Sequence, residues 1–235
     1  MNRLNSTWGK ADLHLHTNYS DGYWSPADTL DLIAALRRVN VIAITDHDTA
    51  EGAFVAQAYA RQHCPDLDVI VGQEVTTGDG DIIGLYLTAS LPRFQSAGEA
   101  IEAIHRQGGL AVAVHPFVFS WDMMSVGRAI RYLPFDAVEV RHGCPLSRLA
   151  NLRAKINNSF GQRLPELGGS DSHIPYTVGQ AFTWFPGRSQ ADLRRAIESG
   201  TVRPGGVTWR IPDMLRKLPV VLNARRAAAY QMERR

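Results

Sequence analysis

Short apolar and β-branched runs recur along this chain, each followed by a polar cluster and then a helical pattern. Residues 11–15 open the series and 41–45 follow. Then come 69–75, 82–87, 110–114, 137–140, 165–169 and 180–185. Runs of this kind suit strands buried on both faces. Helix-start signals lie between them: Ser25 before Pro26, Ser96 three residues before Glu99, and Ser189 three before Asp192. Residues 72–87, with Gly78-Asp79-Gly80 at the middle, read as two strands joined by a tight turn. Strands alternating with helices imply a parallel sheet, and this many units in 235 residues predict a closed or nearly closed α/β barrel. An open doubly wound sheet is the rival, but the glycine-rich phosphate loops that would support it are absent.

Composition removes other classes. At 45% hydrophobic residues and a net charge of +2, the chain is not disordered. It has no run of about 18 apolar residues, so no membrane span is expected. Residues 1–10 lack the apolar core of a signal peptide. Two cysteines, Cys64 and Cys144, are too few for a disulfide framework, so a reducing cytoplasm is the expected location.

Six of the eight histidines fall just past the carboxyl end of a predicted strand. His14 and His16, spaced i, i+2, point to one face of a strand and can clamp a metal ion, or they form a hydrogen-bonded pair near the core. His47 sits between Asp46 and Asp48, a setting for metal binding or for a helix cap. His115, His142 and His173 end later strands, and Asp171 precedes His173 by two. Asp21 lies before a glycine, a position that also suits a plain turn. Glu74 sits in an apolar strand, where a carboxylate is costly unless paired. His63 and His105 fall inside helical patterns and read as surface or packing residues. In a barrel the strand ends face one pocket. Gathered there, six imidazoles with Asp21, Glu74 and Asp171 make nine ligands, too many for one tetrahedral ion and enough for two or three. Mixed ligation of this kind suits Mn, Fe or Zn.

The set of motifs resembles the polymerase and histidinol phosphatase (PHP) family of metal-dependent phosphoesterases. The matching segments are Asp12-Leu13-His14-Leu15-His16-Thr17, Ser20-Asp21-Gly22, Ile44-Thr45-Asp46-His47-Asp48, Gly72-Gln73-Glu74, Ala113-Val114-His115-Pro116 and Gly169-Ser170-Asp171-Ser172-His173. The resemblance covers about residues 11–205. It implies a distorted seven-stranded (βα)7 TIM-like barrel, with a trinuclear metal site at the carboxyl ends of the strands. By it, one ion falls to His14, His16, Glu74 and Asp171. A second falls to Glu74, His115 and His142, with Cys144 as the backup to His142, and a third to Asp21, His47 and His173. Asp81 stands where many relatives carry a histidine, and the helical insertion of some nucleotide-acting relatives is missing before His115.

The expected activity is hydrolysis of a phosphate ester of a small metabolite or nucleotide by a metal-activated hydroxide. Asp46, Asp48 and Asp81 are the candidates for protonating the leaving group. Arg141 is a candidate for holding a second phosphate, though a surface salt bridge is the commoner role for such a residue. Residues 1–205 form the expected barrel, and 206–235 a basic, helical C-terminal segment. Over 203–235 there are eight basic residues and two acids. This segment either docks on the barrel through Met214, Leu215, Leu218, Val221 and Leu222, or binds short nucleic acid or anionic lipid as a basic arm. The alternatives to a small-molecule phosphatase are an exonuclease acting on short oligonucleotides, a hydrolase of C–N bonds, and a non-catalytic metal-binding regulatory domain.

Overall fold

The computed structural model describes residues 8–118 and 124–209, with Pro212. Nine strands form one sheet: β1 (Trp8–Asp12), β2 (Val41–Ile44), β3 (Asp68–Val75), β4 (Ile82–Leu85), β5 (Leu110–Ala113), β6 (Ala137–His142), β7 (Glu166–Gly169), β8 (Ala181–Pro186) and β9 (Arg203–Gly206). The α-helices among the described residues are α1 (Pro26–Leu36), α2 (Glu51–His63), α3 (Ala97–Arg106), α4 (Arg148–Phe160) and α5 (Gln190–Glu198). Three of them begin at the expected caps. Ser25 accepts from Asp28 N, and Ser96 with Glu99 and Ser189 with Asp192 close full capping boxes.

The strand order is β7-β6-β5-β4-β3-β2-β1-β8-β9. β1, β2 and β3 run parallel, as do β5, β6 and β7, while β4 is antiparallel to both neighbours. The ring nearly closes just past the ends of β7 and β1. There Leu15 and Ser172 form a parallel bridge, and His16 N donates to Ser172 O at 2.8 Å. The barrel is therefore α/β and nearly closed, but among the described residues its sheet has nine strands rather than the seven expected. β8 pairs antiparallel with Trp8 to Ala11 of β1, and β9 pairs antiparallel with β8. β9 reads Arg-Pro-Gly-Gly and has no apolar pattern; it is a strand because the edge of β8 offers it a ladder. The same long-range pairing starts β1 at Trp8 rather than at residue 11, and leaves His14 and His16 beyond the strand.

Alternation along the strands divides the core. Ala43, Ile70, Ile83, Val112 and Leu167 fill the barrel with Phe185 and with Leu193 and Ile197 of α5. Ile42, Ile44, Val71 and Val138 face outward onto Ile33 of α1, Ala53 of α2 and Ile101 of α3. α5 lies at the amino-terminal end of the barrel, where Gln190 N donates to Asp68 Oδ2 at the start of β3. The opposite mouth is left to polar side chains. The expected boundary between residues 205 and 206 falls inside β9, and Trp209 is 4% exposed against the barrel. The expected helix in the C-terminal segment lies outside the described residues from residue 213 onward.

Candidate metal centre

The carboxyl ends of the six parallel strands deliver the polar cluster to one mouth. β4 runs the other way, so its amino end brings Asp81 to the same place. Glu74 is 1% exposed and sits at the centre. Its Oε2 lies 3.1 Å from His14 Nε2, 3.3 Å from His16 Nε2 and 3.6 Å from His47 Nδ1, and its Oε1 lies 3.0 Å from His115 Nε2. Asp171 forms a second hub. Its Oδ1 is 3.2 Å from His16 Nε2, 3.5 Å from His14 Nε2 and 3.6 Å from His173 Nδ1, and its Oδ2 is 3.2 Å from His142 Nε2. Asp21 holds the outer edge, 2.8 Å from His173 Nε2 and 3.5 Å from His16 Nδ1. The His16 ring stacks on that of His173 at 4.4 Å and tilts against that of His47 at 4.7 Å. All nine residues named as ligands from the sequence converge here.

His115 and Asp171 hold left-handed backbone, with φ of 28° and 51°. Such conformations cost about 1–3 kcal/mol each in a non-glycine residue and persist where the surroundings enforce them. Here His115 N donates to Glu139 Oε2 at 3.0 Å, and Ser172 N, just after Asp171, donates to His14 O at 3.3 Å.

Glu139 belongs to this cluster and was not singled out from the sequence. It is 3% exposed on β6, with Oε1 3.5 Å from His14 Nδ1 and Oε2 accepting from His115 N at 3.0 Å. Gly169 makes room for it: a Cβ there would lie 2.5 Å from Glu139 Oε1. The available signal was the one that marked Glu74, an acid within an apolar strand (Val138-Glu139-Val140).

The electrostatics are those of buried anions among imidazoles. Burial would push His14 down, but the Glu74 and Asp171 carboxylates raise it well above the usual imidazole range. Burial opposes charge on His16 too, yet Asp171 and Glu74 push it up to about 10. His115 is raised by Glu74 against the same opposition. Burial would raise Glu74, but His47, His14 and His115 hold it well below the usual carboxylate range. Asp21 is held down by His173 and His16 despite its burial. His142 is the exception: burial outweighs Glu139 and Asp171, and its pKa falls.

Several ring nitrogens in this cluster lack a hydrogen bond. They are His14 Nδ1, both nitrogens of His16, His115 Nδ1 and His142 Nε2, all buried. Buried polar atoms are normally paired, so orphaned imidazole nitrogens facing shared carboxylates fit metal ligation. Four groupings place their donor atoms within 4.8 Å of one another: His16-Asp21-His47-His173, His14-His16-Asp171, His14-Glu74-His115 and His14-Glu139-His142. Cys144 is in none of them; its backbone N lies 3.3 Å from His142 Nδ1.

The remaining candidates separate. Asp46 is buried and accepts from Thr17 N (2.7 Å), Thr17 Oγ1 (2.7 Å) and Ser20 Oγ (2.6 Å). It thereby ties the loop that carries Asp21 to the end of β2, and Gly52 of α2 leaves it room. Asp48 accepts from Thr76 N at 2.9 Å and pairs with Arg93 at 2.6 Å. Asp81 is 4% exposed and accepts from Met124 N, and burial together with the Glu74 charge raises its pKa. The structure does not bring Arg141 to the cluster. Arg141 and His142 pair in regular succession with Gly168 and Gly169, so adjacent side chains take opposite faces, and Arg141 is exposed. His63 and His105 lie in α2 and α3, as expected, and His105 pairs with Asp136 at 2.8 Å.

Replacing Asp46 with Ala removes the acceptor for three hydrogen bonds at a buried position. The metal-free protein should lose about 3 kcal/mol of stability. Urea unfolding of the chelated wild type and variant measures it, and a loss under 1 kcal/mol would mean the loop is held by other contacts.

A nearly closed α/β barrel with a buried cluster of histidines and carboxylates at its carboxyl mouth fits a metal-dependent hydrolase. Comparisons narrow it. The PHP-associated family model matches residues 161–202. An uncharacterized protein of Methanocaldococcus jannaschii is 37% identical over 142 residues, 56% of this chain and 80% of that one. The 5'-3' exoribonuclease of Haemophilus influenzae is 31% identical over 107 residues, 44% of this chain and 38% of that enzyme. The 3',5'-nucleoside bisphosphate phosphatase of Chromobacterium violaceum is 36% identical over 95 residues, 38% of this chain and 32% of that enzyme. Among solved structures, a two-domain protein from Bacteroides vulgatus, described as containing a predicted PHP-like metal-dependent phosphoesterase, shares the fold. Its TM-score is 0.67 at 19% identity, over 88% of this chain and 67% of that one. The chain belongs to the PHP family of metal-dependent phosphoesterases.

Proposed function

We propose that this protein hydrolyses a phosphate ester of a small metabolite or nucleotide at a site for three divalent ions. The observation that carries this reading is the pair of buried carboxylates Glu74 and Asp171, each approached by four imidazoles. His14, His16, Glu74 and Asp171 would hold one ion. Glu74, His115 and His142 would hold a second, with Glu139 behind His14 fixing the tautomer of that ring. Asp21, His47 and His173 would hold the third, with His16 alongside. The mixed nitrogen and oxygen donors suit Mn, Fe or Zn. When bound, such ions make water acidic enough to act as a nucleophile near neutral pH and offset charge on the phosphoryl oxygens.

The chain's own residues supply positioning and a proton. Asp81, whose carboxyl is raised by burial and by the Glu74 charge, would be the group to carry a proton to the leaving oxygen. Asp46 keeps the loop bearing Asp21 in place, and Asp48 fixes the turn after Glu74 through Thr76. The likeness to the nucleoside bisphosphate phosphatase of C. violaceum supports nucleotides as a substrate class. The likeness to the exoribonuclease of H. influenzae supports the second reading, removal of nucleotides from short RNA.

The test is phosphate release by the manganese-loaded protein from nucleoside bisphosphates, mononucleotides and sugar phosphates, alongside nucleotide release from short RNA. We expect phosphate from at least one small ester, two to three metal equivalents per chain, and complete loss with a chelator. Nucleotide release from RNA with no phosphate from any small ester would replace the first reading by the second.

A further inference from the structure

α4 is apolar on the wrong side. Only Ala154 and Asn158 of its thirteen residues are buried. Its exposed large apolar residues are Leu149 (77% exposed), Leu152 (55%), Ile156 (47%) and Phe160 (83%), and Leu146 (83%) continues the row in the turn before the helix. The helical members fall at i, i+3, i+7 and i+11, which is one stripe along the helix. A contiguous exposed apolar stripe of this length marks a contact surface.

The chain itself leads to this stripe. Trp209, the last residue of the continuous described segment, is buried at the start of the connection into α4. Its N donates to Gly143 O at 2.7 Å and its Nε1 to Ser170 O at 2.8 Å. Gly143 precedes Leu146 by three residues, a span of at most about 10 Å. Residues 210–235 therefore start beside one end of the stripe. Their sequence places Ile211, Met214, Leu215, Leu218, Val221 and Leu222 at spacings of three and four. From Leu149 to Phe160 the stripe is about 17 Å long at 1.5 Å per residue, and residues 211–222 are long enough to cover it whether helical or extended.

We propose that residues 211–222 of this chain dock along the exposed face of α4, anchored by Trp209. The match is apolar. α4 carries Arg148, Arg153 and Lys155 and no acid, so a two-fold interface between copies would bring these cations together. The Arg216 and Lys217 side chains of the segment are not fixed by symmetry and can stay in water. Tethering also favours the segment, because a short connection gives an effective concentration in the millimolar range, above that of a second copy in solution.

The full chain tests this. Initial rates of trypsin cleavage after Lys217 are compared by intact mass for the wild type, Ile156→Glu, Leu222→Glu and the double variant. Because Ile156 is half exposed in the described structure, far-UV circular dichroism should be unchanged; Leu149→Ser serves as a milder second variant. Each single substitution should speed cleavage at least about tenfold, and the double variant should be no faster than the quicker single one, as expected for partners in one contact. Light scattering should show a monomer in all cases. Equal rates in wild type and both single variants would overturn the proposal. So would a wild-type dimer that Ile156→Glu dissociates, since the stripe would then belong to a second copy.

Discussion

Glu74→Gln is expected to reduce metal-dependent phosphate release by at least about 10³-fold and to lower bound metal by at least one equivalent. The charge of this carboxylate is shared by His14, His16, His47 and His115, and with His14 and His115 it forms one of the donor groupings. The amide keeps the shape and loses the charge, so any ion held there would lose an anionic ligand. Charge stabilisation of several kcal/mol is what such ions contribute to phosphoryl transfer, and about 4 kcal/mol corresponds to 10³ in rate. The metal-free variant has a further difficulty. Its buried imidazoles lose the anion that raises them, so His14 and His115 should titrate lower than in the wild type. Metal analysis after desalting, phosphate release and proton NMR of the histidine rings check the three consequences separately. A variant that keeps full metal content and activity would remove Glu74 from the centre.

That the centre could be read so far from the sequence has a physical reason. A strand end is a local event, marked by an apolar run and its sudden stop. His47, His115 and Asp171 sit at such stops, and parallel strands force their stops to one side of the barrel. Glu139 gives a weaker signal, because it lies inside the strand between Val138 and Val140, three residues before the stop at His142. Beside His47, Asp46 reads in the sequence as a candidate proton donor. Its partners Thr17 and Ser20 come from another loop, some 26 to 29 residues away, and no local pattern reports them. β9 and the anchoring of Trp209 are likewise products of long-range pairing, with β8 and with Gly143 and Ser170. Arg141 is next to His142 in sequence, but alternation turns the two side chains to opposite faces, and Arg141 is exposed.

The pH response should divide sharply between metal-free and metal-loaded protein. In the metal-free state His16 keeps its proton up to about pH 10, and His14 and His115 are raised as well. A histidine raised in the folded state contributes stability that is fully present below its unfolded pKa of about 6.5. That contribution is lost as pH rises through the folded value. The chelated protein should therefore lose stability between pH 6 and pH 9. Metal ligation requires the same rings without their protons. Binding then releases up to three protons, and metal affinity should rise by up to about 10³ per pH unit over the range in which all three stay charged in the free protein. His142 adds nothing to this slope, because burial already holds it neutral. Glu74, Asp21 and Glu139 add nothing either: all three are depressed, so they stay ionised throughout and lose their stabilising charge only as pH falls through their low folded values. The gap in Tm between manganese-loaded and chelated protein should accordingly widen from pH 6 to pH 9. Calorimetry of both forms across that range measures it. A gap that stays constant or narrows would mean that these imidazoles are not the groups that exchange protons for metal.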